Sequence, residues 1–228
     1  MIREIHTLEN YHDENGNRIV YEGSHRTKEV DIFFVGGNNV VSINSHARLE
    51  KIFIKCWGRD AKIEIGNCKS RLYFAVGSTS TVVIGDQLTT TGILYVTALD
   101  ESTIVIGNDC MISGGVQIRG DDAHPIYDIE TGRRINKASH ITIGDHVWLG
   151  EGCVILNKTS IGSGSIIGTR SVVKGKVPNN SVAAGNPARI VKKNVAWERP
   201  YLGFDELFNQ DGTLKEHVNS QYWHKTVE

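Results

Sequence analysis

The sequence predicts an all-β solenoid, a prism of short stacked strands with one long inserted loop, and three observations support it. First, Ile143, Leu149, Ile155, Ile161, Ile167 and Val173 stand six residues apart. Each is followed four residues on by a small or compact residue: Val147, Cys153, Thr159, Ser165, Ser171 and Val177. Neither an amphipathic helix nor a simple strand has that period. Second, an aliphatic pair flanking one residue and then glycine recurs as Ile63-Glu64-Ile65-Gly66, Val82-Val83-Ile84-Gly85, Ile104-Val105-Ile106-Gly107 and Ile141-Thr142-Ile143-Gly144, at intervals of 19, 22 and 37 residues. Third, Ile106, Ile112 and Ile118 keep the count of six, but Ile143 follows Ile118 by 25 residues, which leaves 19 inserted.

A hexapeptide period makes each face of a triangular prism one short strand, with three hexapeptides per coil. The aliphatic residue points inward, the compact one fits near a corner, and glycine or asparagine is expected at tight turns where φ turns positive. Coil-to-coil hydrogen bonds satisfy the backbone without helices. In chain order, residues 1–30 lack the repeat and read as an N-terminal extension with a turn at Glu14-Asn15-Gly16-Asn17. Residues 31–192 form the β-helical domain, whose first coils, near 30–34 and 40–43, are irregular as end coils are. A loop over 119–140 is inserted into it, and 193–228 form a C-terminal extension with a short helix or two expected between 204 and 222.

At 228 residues, 39% apolar, the chain can bury one sizeable core. A formal charge of −1 with no long basic block argues against nucleic acid as a partner. The first thirty residues carry Glu4, Glu9, Asp13, Glu14 and Glu22 and no apolar core segment, and no stretch reaches membrane-spanning length. A cytoplasmic protein without a transmembrane segment is expected. Cys56, Cys68, Cys110 and Cys153 show neither metal-ligand pairs nor a disulfide framework, and are expected to be buried, reduced thiols.

The inserted loop is where chemistry is expected, because loops on a rigid scaffold carry function. It contains Asp121, Asp122, His124-Pro125 and Asp128. Imidazole is the side chain suited to taking a proton near neutral pH, so His124 is the candidate general base. The other histidines, His140 and His146 among them, read as surface or turn residues. Trp148 follows the inward Val147, so its ring should point out of the prism, toward a cleft or a neighbouring subunit. Residues 170–193 carry Arg170, Lys174, Lys176, Arg189, Lys192 and Lys193 and no acid, an excess that suits an anionic ligand.

With Ala123-His124-Pro125, then Ile141-Thr142-Ile143-Gly144-Asp145-His146-Val147-Trp148-Leu149-Gly150, Ile161-Gly162, Ile166-Ile167-Gly168-Thr169-Arg170-Ser171-Val172-Val173, Val177-Pro178 and Ala183-Ala184-Gly185-Asn186-Pro187-Ala188-Arg189, the chain resembles the hexapeptide-repeat acyltransferases. Within that family it is similar to the branch of galactoside and maltose acetyltransferases and surface-polysaccharide O-acetyltransferases. The resemblance spans 104–193 and implies a left-handed parallel β-helix, a homotrimer with sites between subunits, and acetyl-CoA as donor. It implies that His124 takes the acceptor hydroxyl proton for direct attack on the acetyl carbonyl, with backbone N–H groups stabilising the oxyanion. Asp121, Asp122 and Asp128 are all candidates to orient the imidazole. Trp148 matches a tryptophan beside the catalytic histidine, while packing at a subunit interface is the alternative for it. Gly150, Thr169, Lys174, Gly175, Arg189 and Lys192 match cofactor-contacting positions, Lys192 standing where that branch has arginine.

The expected activity is therefore acetyl transfer to a sugar hydroxyl of a capsular polysaccharide, O-antigen or related surface glycan. Acetylation of a small acceptor (a free sugar, a nucleotide-sugar amine or a xenobiotic) is the alternative within the same chemistry. A γ-type carbonic anhydrase, which needs three histidines on zinc, and a non-catalytic solenoid module are alternatives of other classes. No metal is expected.

Overall fold

A computed structural model describes residues 2–24, 27–200 and 221–227. Among them every regular element is a strand. The recurring glycine phrase forms one column. Val41 pairs with Ile63, Ile63 with Val82, Val82 with Ile104 and Ile104 with Ile141, all in parallel register. The intervals read from the sequence are thus coil lengths, and the 37-residue one is a coil with the loop inside it.

Two sheets wrap the prism. Nine strands make one face, and thirteen make the other two. The early strands Arg48–Cys56, Lys69–Val76 and Thr89–Ala98 run unbroken across the edge between those two faces, with register shifts at Leu49/Lys51 and Thr89/Ile93 where they bend. In the next coil the same path breaks into Met111–Ile112 and Gln117–Arg119, both pairing with the preceding long strand. Of the two faces, the Trp face carries Met111–Ile112, Trp148–Leu149 and Ile166–Ile167, and the loop face carries Gln117–Arg119, Val154–Leu156 and Val172–Val173.

The glycine of the phrase has a different reason from the one expected. Gly66, Gly85, Gly107 and Gly144 are not among the residues with positive φ. A Cβ on Gly85 would instead lie 2.6 Å from the backbone of Gly107, and one on Gly107 would lie 2.7 Å from that of Gly144. Close stacking of corners excludes a side chain there. The left-handed turn falls two residues later, on Gln87, Asp109 and His146, at φ of 59, 54 and 53°.

One core runs the length of the prism. Ile63, Ile84, Ile104, Ile118, Leu149, Ile155 and Ile167 are buried in it. All four cysteines are buried and unpaired. Burial pushes the thiols of Cys56, Cys110 and Cys153 up to about 12 and that of Cys68 up to about 11. They are small hydrophobes, unfit as nucleophiles near neutral pH.

The N-terminal end differs from the expected boundary. Arg18–Val20 already pairs in parallel with Val40–Ser42, and Arg3–Ile5 pairs antiparallel with Ile32–Phe34, so the stack begins upstream of residue 31. Asn17 and Asn39 form a polar corner column. Asn17 Nδ2 donates to Gly36 O and Asn39 Nδ2 to Gly58 O, while Asn39 Oδ1 accepts from the Ala61 amide. At the other end Ala188–Lys193 turns back antiparallel on Ser181–Gly185. The helix expected between 204 and 222 falls mostly on 201–220, outside the described residues; 221–227 contain no helix.

Candidate active site

The loop after Gln117–Arg119 holds its shape through backbone contacts. Asp121 is buried, and its carboxylate accepts from the amides of Leu99 and Ala123, both at 2.8 Å. Ala123 sits at φ 62°, and the His124 amide donates to Asp122 O at 2.7 Å. Asn136 closes the loop: its Nδ2 donates to His124 O at 2.8 Å and to Asp122 Oδ2 at 3.0 Å, while its Oδ1 accepts from the Ile126 amide. Asp128 caps the turn at Glu130 and Thr131, and Arg134 pairs with Asp100 at 2.7 Å.

All three aspartates expected as partners for His124 are therefore engaged elsewhere. The imidazole is exposed and makes no hydrogen bond among the described residues. Its backbone is fixed, and its ring is unengaged among the described residues.

Trp148 lies outward beside the buried Leu149, between Met111 and Ile166. Its indole Nε1 is buried and has no hydrogen-bond partner among the described residues. Trp197 packs on it at 6.0 Å between ring centroids. The neighbouring His146 corrects its expected role as a surface or turn residue. Although it occupies a corner, it is 3% exposed. Its Nδ1 meets Asp109 Oδ2 at 2.6 Å and its Nε2 meets Trp197 O at 3.0 Å, and the ring stacks on Trp197 at 4.0 Å and on Tyr222 at 4.5 Å. The Trp197 indole donates to His146 O. Arg199 then bonds Asp109 Oδ1 at 2.6 Å, Thr89 Oγ1 at 2.9 Å and the carbonyls of Gln87, Asp109 and Cys110. Residues 197–199 are thereby strapped across three coils. The sequence signal was present but faint: Asp109 and His146 hold the same corner position in successive coils.

The expected cofactor residues fall into two groups. Gly150 is required by packing, since a Cβ there would meet Ile167 O at 2.6 Å and Thr169 N at 2.7 Å. Thr169 follows at the corner after the Trp face, and Arg189 and Lys192 lie on the terminal hairpin opposite Ala184 and Val182. These three are exposed. Lys174 and Gly175, with Gly175 at φ 93°, turn the other corner, between the loop face and the nine-stranded sheet. That is the corner from which the His124 loop also emerges. Arg170, Lys174, Lys176, Arg189 and Lys192 make no ion pair among the described residues. No hydrogen bond or ring contact joins His124 to Trp148 among those residues. One chain thus displays His124, Lys174 and Gly175 on one edge, and Trp148, Thr169, Arg189 and Lys192 on another. Among the described residues no cluster of three or more His, Cys, Asp or Glu side chains is placed to hold a metal, and no helix is long and apolar enough to cross a membrane.

The family described as bacterial transferase hexapeptide (six repeats) matches residues 140–175. The polysialic acid O-acetyltransferase of Neisseria meningitidis is 32% identical over 192 residues, covering 83% of this chain and 88% of that protein. The polysialic acid O-acetyltransferase of Escherichia coli O1:K1 / APEC is 38% identical over 120 residues; the match spans 53% of this chain and 39% of that relative. The crystal structure of the polySia-specific acetyltransferase NeuO superposes with a TM-score of 0.68 at 31% identity, over 85% of this chain and 93% of that one. The solenoid is accordingly a left-handed parallel β-helix, and the chain belongs to the hexapeptide-repeat O-acetyltransferases.

Proposed function

We propose that this protein is a cytoplasmic homotrimer that transfers acetyl from acetyl-CoA to a sugar hydroxyl of a capsular or related surface polysaccharide. The observation that carries the reading is His124, a histidine with its backbone locked and its ring unengaged, in a chain related over most of its length to polysialic acid O-acetyltransferases.

In this reading the His124 imidazole takes the acceptor hydroxyl proton as the oxygen bonds to the acetyl carbon. As the carbon–sulfur bond breaks, the proton passes to the departing thiolate, giving the sugar ester and free coenzyme A. The half-buried Trp148 ring offers an apolar surface to a group bound beside it. Thr169, Lys174, Gly175, Arg189 and Lys192 bind coenzyme A, the cations meeting its phosphates. Gly150 serves by seating the coil that carries Thr169.

Separation of these residues onto two prism edges supports a site completed between subunits, the loop of one prism meeting the Trp148 edge of the next. The test is coenzyme A release, followed with a thiol reagent, across capsular and O-antigen saccharides and small acceptors. Acceptor-dependent release that collapses in His124→Ala is expected; equal rates in the two proteins would remove His124 as the base.

A further inference from the structure

The Trp face holds more than the site residues. One column of outward side chains crosses it coil by coil, each in register with the next. From Trp148 toward the C-terminal end it runs through Ile166 and Val182 to Lys192, one of the cations assigned to the donor. In the other direction it runs through Met111 and Thr89 to Lys69 and then Arg48.

At that second end lies an open groove of about 410 Å³, bordered by Arg48, Lys69, Gln87, Thr89 and Arg199. Its charges are unevenly matched. Asp109 also borders it, but its carboxylate is spent on Arg199 and His146. Glu50, close in sequence, is spent on Arg71. Arg199 is immobilised by Asp109, Thr89 and three carbonyls, so it serves as a wall. Arg48 and Lys69 are exposed and have no acidic partner among the described residues. The Gln87 side-chain amide is likewise unengaged among them and can serve hydroxyls. Two adjacent unpaired cations beside hydrogen-bonding groups, in a chain of formal charge −1, select an anion decorated with hydroxyls.

Resting on the function proposed above, we infer that this groove is a second acceptor subsite that binds a carboxylate-bearing sugar unit of an acidic glycan. Strands stack about 4.8 Å apart, so Lys69 lies about 14 Å from Trp148 and Arg48 about 19 Å. A glycan unit at Trp148 cannot itself reach Lys69. The groove grips a unit further along the same chain, which makes the acceptor a chain of several linked units. Donor and acceptor then approach Trp148 from opposite ends of one face, the strap at 197–199 forming the acceptor-side wall.

The test uses polysialic acid, the same polymer with its carboxyls reduced to alcohols, and a sialic acid disaccharide, against the full-length protein. The double variant Arg48→Gln/Lys69→Gln changes exposed side chains only, and Lys62→Gln on the nine-stranded sheet controls for loss of an exposed cation away from the groove. By calorimetry wild type and Lys62→Gln are expected to bind polysialic acid alike, with the double variant weaker by about tenfold. Binding of the reduced polymer should be equally weak in all three. In turnover, the double variant should raise KM for polysialic acid without changing kcat, KM for acetyl-CoA or KM for the disaccharide. Unchanged polysialic acid binding in the double variant, equal binding of the reduced polymer by wild type, or no binding of either polymer overturns the subsite. Carboxylate-dependent binding without acetyl transfer would overturn the enzymatic reading and leave the subsite standing.

Discussion

Two histidines, one in the inserted loop and one at the corner beneath the strap, are treated in opposite ways. His124 has its backbone amide and carbonyl bonded within the loop while its ring is exposed and unengaged. His146 is the reverse: both ring nitrogens are occupied, and both ring faces are covered by Trp197 and Tyr222. The contrast teaches that an unengaged ring is available to meet a bound molecule, whereas a ring with both nitrogens occupied is a fastening. Proximity to Trp148 would have favoured His146 as the reactive histidine; the hydrogen-bond inventory favours His124.

Substitution should separate the two. His124→Ala is expected to lower kcat/KM by about 10²–10⁴-fold, the range for loss of a general base, with no change in thermal unfolding. His146→Ala removes two hydrogen bonds and two stacked faces, and should cost about 2–4 kcal/mol of stability by denaturant unfolding. Activity per folded molecule should fall far less than for His124→Ala. If instead His146→Ala abolishes turnover while unfolding is unchanged, the assignment of roles is reversed. Trp148→Phe sharpens the comparison. It keeps an aromatic ring against Trp197 but trims the indole, so a loss of about tenfold in kcat/KM with unchanged stability is expected of a ring that packs on bound substrate.

The cysteines give a smaller effect. With thiols raised to about 11 or about 12, the thiolate is absent at pH 8 in the folded protein. A disulfide reagent should label none of the four until the chain is unfolded, and then all of them. Early labelling of Cys110 would show that the strapped corner opens.

The smallest effect concerns the N-terminal cap. Burial raises the Asp13 carboxyl, but hydrogen bonds from the Asn17 side chain and the amides of Asn17 and Asn15 outweigh it and hold the group below the ordinary carboxylate value. A depressed folded-state value stabilises the protein above the unfolded value of about 4 and is lost as pH falls through the lower one. Stability measured across that acid range should fall less steeply in Asp13→Asn than in wild type.

Much of the fold was legible because the solenoid interior is itself periodic. Ile143 through Val173 each fill the same slot in successive hexapeptides, so the period survives into sequence. The inserted loop showed as a break in that count. The early coils were less readable because their turns of 19 or 22 residues bend one long strand over an edge, as in Thr89–Ala98, and do not break it into hexapeptides. His124 stood out by its place in the insertion, whereas His146 depends on Asp109 and Trp197, 37 and 51 residues away, which local pattern does not reveal. The placement of the candidate residues on two edges was equally hidden, since it emerges only when coils are laid in register.

That division can be tested directly by mixing two inactive subunits. His124→Ala and Trp148→Ala chains, co-expressed in equal amounts and purified together, are each deficient on a different edge. If the loop of one subunit meets the Trp148 edge of its neighbour, random assembly into trimers leaves about a quarter of the sites with both residues intact. Coenzyme A release at about a quarter of the wild-type rate is the predicted result; a mixture no more active than either variant alone would place His124 and Trp148 in the same chain's site and contradict the account.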